Sequence, residues 1–283
     1  MSENSRLHTV IQSKNKTALF NFKELIRYKD LLYYMVLRDV TVMYKQTVLG
    51  FLWAILNPFF QVVVFSVIFG TVAGISTGIH GLPYPVFSCL AIIPWNYFST
   101  TFTASSNSLI ITSGIFTKVY FPRVIIPLTP VFSKLVDFTI SLIMLMAILW
   151  YYKYTPGSNV WLFFIPLSII IITAAGLGMW LSSLVLQFRD FRFAITFLLP
   201  LLLYVAPVAY PAIKVQEQLG NTVYNIYALY PMVGGIEGFR SSFLQDVAFP
   251  WKLVGISGIS SLIIFISGSI YFRKMEKHFA DVA

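Results

Sequence analysis

The chain alternates between one charged amphipathic stretch and long apolar runs. From Asn21 the pattern turns helical, with Asn21 placed to cap the helix and Glu24 three residues on as the return partner of a capping box. At about 100° per residue, Leu25, Tyr28, Leu32, Met35, Val36, Val40 and Met43 gather on one face. Lys23, Arg27, Asp30, Tyr34, Arg38, Thr41 and Lys45 gather on the other, while Lys29 and Asp39 interrupt the apolar face. That run is too charged to span a bilayer, so it is expected to lie along a membrane surface. An ordinary solvated helix packed on a bundle is the alternative. Residues 1–17 are polar and lack the apolar core of a cleavable signal.

Six later stretches reach the about 20 apolar residues that a crossing requires. They are 51–73, 86–107, 124–152, 160–187, 193–213 and 253–272. The expected architecture is therefore an all-α integral membrane protein. Residues 1–50 form its tail and amphipathic helix, and 51–283 form a six-span domain. Composition agrees: 57% of residues are hydrophobic and 11% charged, against roughly 25% in a soluble chain. The mean hydropathy is +0.76.

Charge gives the expected orientation. Eight Lys and Arg precede the first span, two lie between the second and third, two between the fourth and fifth, and three follow the sixth. With Lys134 near its inner end, sixteen of the twenty fall on one side, which predicts cytoplasmic termini. The net charge of +9 is thus spread over membrane flanks, unlike the single footprint of a nucleic-acid binder.

Two connections carry more than a tether needs. Ser108–Arg123 is partly apolar and mildly charged, so it is expected to pack on something. Lys214–Pro250 is aromatic-rich and broken by Gly234–Gly235, which suggests short helices dipping partway into the outer leaflet, or else an external cap helix. Broken backbone at that depth must be buried in protein or line a cavity.

Catalytic chemistry is scarce. No Gly is followed by Lys, so no P-loop is present, and no zinc-protease helix or nucleophile turn appears. The single Cys89 excludes an intrachain disulfide, and three separated histidines make no metal site. Within the spans the only charges are Lys134 and Asp137, spaced i and i+3 and so able to pair. A proton relay would need more acids.

Several motifs in order carry a family resemblance. They are Arg38-Asp39, the run Tyr44–Trp53 closing with Asn57-Pro58, and Ile93-Pro94-Trp95-Asn96-Tyr97-Phe98. Thr117–Arg123 with Pro127, Phe188-Arg189-Asp190, and Pro207-Val208-Ala209-Tyr210-Pro211 follow. From about residue 20 onward the chain resembles the membrane subunits of ABC exporters for lipid-linked polysaccharides, namely O-antigen, capsule and teichoic acid. Ala206 stands where Ser or Thr is common, and Tyr230 where Asn is common.

The resemblance implies a transport subunit rather than an enzyme, placed in a bacterial inner membrane. It implies a homodimer around a channel, and two separate nucleotide-binding ATPase subunits that hold ATP and Mg, with no cofactor in this chain. Phe116, Thr117, Lys118, Val119, Tyr120, Phe121, Pro122 and Arg123 would couple to the ATPase. Arg27, Arg38, Asp39 and Lys45 would belong to an interface helix meeting membrane lipids. Trp53, Trp95, Tyr97, Phe98, Tyr204 and Tyr210 are candidates for a glycan channel, or for helix packing. Tyr230, Pro231, Glu237 and Arg240 would form an outer gate. Other readings are a drug or lipid exporter, an ion-coupled transporter, and an enzyme acting on polyprenyl-phosphate sugars.

Overall fold

A computed structural model describes residues 26–45, 50–112, 114, 121–245, 247–277 and 279. Among these residues the protein is all-helical, with nine α-helices and no strand. They are α1 (Lys29–Lys45), α2 (Leu52–Phe65), α3 (Tyr84–Ile111), α4 (Ile125–Tyr151) and α5 (Phe164–Gln187). Then come α6 (Asp190–Val205), α7 (Ile213–Tyr227), α8 (Pro231–Phe243) and α9 (Trp251–Glu276). A π-helical segment, Ser66–Val72, extends α2, and a short 3-10 turn, Val160–Phe163, leads into α5.

Four segments are long and apolar enough to cross a membrane: Leu52–Val72, Ile125–Tyr151, Val160–Gln187 and Trp251–Glu276. The other two expected spans take a different form. Helix α3 has 28 residues, about 42 Å at about 1.5 Å each, but its second half carries Ser99, Thr100, Thr101, Thr103, Ser105, Ser106, Asn107 and Ser108. It tolerates these groups because it is the central helix, with Val86–Trp95 buried without interruption. Most of the hydroxyls, Thr101 excepted, bond back along the helix or to neighbours, as Ser105 Oγ does to the Pro127 carbonyl at 2.8 Å. The expected 193–213 span becomes the 16-residue α6, which stops at Ala206, where the chain turns extended ahead of Pro207.

The scaffold is α3, α4, α5 and α9. Helices α5 and α9 approach backbone to backbone at Gly176 and Gly268; a Cβ at Gly176 would lie 2.6 Å from Phe265 Cα. Helix α8 sits inside this scaffold, with every residue except Glu237 buried. By contrast α2 buries only Pro58 and Val62, α6 only Ile195, and α7 none. Helices α2 and α6 present apolar side chains outward, among them Phe59, Phe60, Phe193 and Phe197, whereas α7 also exposes Glu217, Gln218 and Asn221.

The Gly70-x-x-x-Gly74-x-x-x-Gly78 spacing does not form one helix face. Gly70 packs against the Tyr84 ring within the π segment, while Gly74 and Gly78 take φ of +60° and +75° in the loop beyond it.

Candidate functional site

The helical period of α1 sorts its side chains. Met35 is buried and Tyr28, Leu32, Val36, Val40 and Met43 are half-buried, whereas Arg27, Asp30, Tyr34, Arg38, Thr41 and Lys45 are exposed. Asp39, which interrupts the inner face, is half-buried and accepts from Arg38 Nη2 at 2.8 Å. Ile26, Tyr33 and Leu37 form a further exposed apolar flank at i, i+7 and i+11. Met35 enters a cluster with Leu109, Phe121, Ile125, Ile126, Met179, Phe272 and Phe279, so α1 is held against the ends of α3, α4, α5 and α9.

At its far end α1 meets the paired charges of α4. Lys134 Nζ donates to Asp137 Oδ2 at 3.1 Å and lies 3.3 Å from Met43 Sδ. The Tyr44 hydroxyl donates to the other Asp137 oxygen. Burial first, then this hydrogen bond, raise the Tyr44 pKa above its ordinary value, so the group stays a donor at neutral pH. The i, i+3 pairing was legible in the sequence. The third member, Tyr44, was not, since nothing local links it to a residue 93 positions away.

Of the candidate coupling stretch, Phe116, Thr117, Lys118, Val119 and Tyr120 lie outside the described residues. The end of the stretch is well anchored. Phe121 is buried in the cluster shared with Met35. The Arg123 backbone N–H donates to Glu276 Oε1 at 3.1 Å, and its Nη1 to the Glu276 carbonyl at 2.8 Å. Pro122 lies between these two anchors.

The opposite end holds the interrupted backbone after α6. Arg240, 2% exposed, donates from Nη1 to Glu237 Oε1 at 2.8 Å and from Nη2 to the Pro207 carbonyl at 2.7 Å. Its guanidinium lies 3.8 Å from the centre of the Phe87 ring. Glu237 Oε1 also accepts from the Ala212 N–H at 2.6 Å, and the Tyr84 hydroxyl donates to the Ala209 carbonyl at 2.7 Å. Two carbonyls of the non-helical Pro207–Pro211 stretch, and the N–H just beyond it, are thus answered by side chains of other elements, as irregular backbone at membrane depth requires. Pro231 begins α8, and Tyr230, half-buried, packs on its neighbours from just before it.

The six aromatic candidates divide sharply. Trp95, Tyr97 and Phe98 are buried in the chain's own core, where the Tyr97 hydroxyl donates to the Val131 carbonyl at 2.9 Å. Trp53 and Tyr204 are 53% and 61% exposed, on α2 and α6, which bury few residues. Tyr210 is half-buried, its hydroxyl reaching the Val205 carbonyl at 3.2 Å. No group of three His, Cys, Asp or Glu suited to a metal ion occurs among the described residues.

Comparison with known proteins identifies the family. The chain is 29% identical over 257 residues to an O-antigen export system permease protein RfbA of Klebsiella pneumoniae, covering 89% of this chain and 95% of that one. It is 26% identical over 257 residues to the protein of the same name from Myxococcus xanthus, covering 90% and 96%. It is 22% identical over 249 residues to the polysialic acid transport protein KpsM of Escherichia coli, covering 86% and 92%. The pattern of the ABC-2 type transporter family matches residues 30–244, which takes in α1 through α8, and the chain belongs to that family of membrane transporters.

Proposed function

We propose that this chain is the channel-forming membrane subunit of an ATP-driven exporter that moves lipid-linked polysaccharide, of the O-antigen class, out of the cytoplasm. The observation that carries this reading is the near end-to-end similarity to proteins named as O-antigen export permeases. The weaker similarity to a polysialic acid transport protein supports polysaccharide as the broader substrate class.

In this reading the chain crosses the inner membrane six times, with α3 and α6 joining the four long apolar segments and both termini in the cytoplasm. Helix α3 crosses wrapped by its neighbours, and α6 crosses as a short helix continued by the clamped Pro207–Pro211 stretch. Two copies assemble around the transport path, and two separate ATPase subunits bind ATP and Mg beneath them. The absence of a P-loop in this chain supports that division of labour.

The segment Phe116–Arg123 receives the ATPase stroke. Its anchors on Glu276 and the Met35 cluster make the stroke a rigid-body displacement of α3, α4 and α9 together. Arg27, Arg38, Asp39 and Lys45 place α1 at the inner headgroup layer, and the Ile26, Tyr33, Leu37 flank enters it. Trp53 and Tyr204, exposed on α2 and α6, face the moving glycan, with Tyr210 near its exit. Trp95, Tyr97 and Phe98 hold the wall behind them. Tyr230, Pro231, Glu237 and Arg240 belong to the outer gate, of which α8 is the fixed part and α7 the part free to move, since α7 buries no residue and bends at Gly220.

The test is deletion of the gene while following both the surface glycan and its lipid-linked precursor. Loss at the surface with accumulation inside, restored only when the intact gene and its ATPase are both present, is the expected result. An unchanged surface glycan would sink the reading, and loss without accumulated precursor would point to a biosynthetic enzyme.

A further inference from the structure

Between α1, α2, α3 and α4 lies a cavity of about 320 Å³. Small-molecule pockets begin near this size, at about 300 Å³. Its walls are mixed in a particular way. Trp53 offers an exposed indole at the rim, Asn57 and Asn96 bring amides from α2 and α3, and Lys134 and Asp137 bring the ion pair from α4. The Asn96 Nδ2 is buried and has no hydrogen-bond partner among the described residues, at a cost of about 1–3 kcal/mol unless something answers it.

We propose that this cavity is a binding site for one pyranose ring of the transported glycan, held by stacking on Trp53, with its hydroxyls accepting from Asn96 Nδ2 and Lys134, donating to Asp137 and bonding the Asn57 amide. This inference rests on the reading of the chain as a glycan exporter. The charges decide the ligand class. Among the described lining residues Lys134 and Asp137 are the only formal charges, and they cancel. A diphosphate would bring negative charge against the Asp137 carboxylate with no surplus cation to meet it. An acyl or prenyl tail would leave the buried Asn96 Nδ2 unanswered. A neutral polyol fits both constraints. Asp137 retains acceptor capacity beyond Lys134 and Tyr44, because a carboxylate has about four lone-pair sites. The amides donate and accept in the same plane, and a sugar's C–H face suits the indole. The contacts are few and individually modest, so a ring held here is released readily, as stepwise transport demands.

Thiol protection tests the site. Cys89 is fully buried, so a thiol introduced elsewhere reports alone. Ala54 lines the cavity, and Ala54→Cys places a small reporter there. The full chain with its ATPase in nanodiscs is labelled with a charged methanethiosulfonate, with and without lipid-free oligosaccharide released from the cell's own surface glycan. Farnesyl diphosphate serves as the sugar-free probe. At twice its Kd the oligosaccharide should slow labelling about threefold, because protection scales as 1 + [L]/Kd. Farnesyl diphosphate should have no effect, and neither ligand should alter labelling of Ser158→Cys, exposed in the loop between α4 and α5.

Adding Trp53→Ala to the reporter should abolish protection, and adding Trp53→Phe should preserve it. If Ala54→Cys fails to assemble, Thr100→Cys reports on the same cavity. Equal labelling with and without oligosaccharide, or protection by farnesyl diphosphate alone, would overturn the site. That failure differs from failure of the transport reading. A surface glycan that depends on the gene, together with an unprotected thiol, removes the cavity proposal alone. A surface glycan indifferent to the gene removes the transport reading, whatever the labelling shows.

Discussion

The Tyr44 hydroxyl at the end of α1 donates a hydrogen bond to the Asp137 carboxylate on α4, whose other oxygen is held by Lys134. This contact pins an amphipathic helix to a membrane-embedded one through a charge that would otherwise be exposed to an apolar medium. Tyr44→Phe should therefore cost about 1.5 kcal/mol, the lower end for a hydrogen bond to a charged group in a half-buried setting. Lys134→Ala should cost more, since it strands Asp137. The double variant Lys134→Ala with Asp137→Ala should recover part of that loss. Thermal melts of the detergent-purified protein measure all three, and equal melting of Lys134→Ala and the parent would refute the coupling.

Arg240 makes the second long-range tie, and it is more deeply buried. Removing one partner of a buried pair typically costs about 3–5 kcal/mol. Arg240→Met should sit in that range, because it leaves the Glu237 charge without its cation and the Pro207 carbonyl unanswered. Arg240→Lys should rescue little. A single ammonium cannot reproduce a planar fork that spans Glu237 and Pro207 while stacking on Phe87. Yield of folded protein by size-exclusion chromatography distinguishes the two, and full rescue by lysine would show that charge alone suffices.

Helix contact at Gly176 allows a simple steric test. Gly176→Val places carbon where Phe265 backbone already lies, so α5 and α9 must separate. Membrane insertion should persist while the folded fraction falls sharply. The same change at Gly255, where a Cβ would meet nothing within 4 Å, should be tolerated. Parallel expression trials read the contrast.

The aromatic candidates separate by burial. Trp95→Ala opens a core cavity and should cost about 3–5 kcal/mol of stability. Trp53→Ala should leave the melting temperature close to the parent and slow the export of long glycans more than short ones. Glycan ladders from complemented cells measure the second effect. A length-independent defect in Trp53→Ala would assign that ring to assembly.

Coupling is tested with Tyr120→Asp, since Phe121 is buried and its replacement would disturb the Met35 cluster as well. Tyr120→Asp should leave the subunit inserted while ATP hydrolysis proceeds without export. Normal export by this variant would move the coupling site elsewhere.

Much of this was readable along the chain. The inner face of α1, from Tyr28 through Met43, and its outer face, from Arg27 through Lys45, follow from a 3.6-residue period that is a local property of the backbone. The Lys134–Asp137 pair follows from i, i+3 spacing on one helix. Length and apolarity alone identify the four long apolar segments, because lipid demands both of any exposed helix.

The rest depended on which neighbours surround each element. A hydroxyl-rich helix such as α3 belongs at the centre only because α2, α4, α5, α6 and α8 all pack against it. Arg240 is buried only because Glu237, Pro207 and Phe87 converge on it from three elements. Trp95 and Trp53 have the same side chain, yet one is 4% exposed and the other 53%. Periodicity and composition are written into each segment by itself. Burial is a property of the assembled bundle, and it alone separates a side chain packed into the core from one left exposed at the surface.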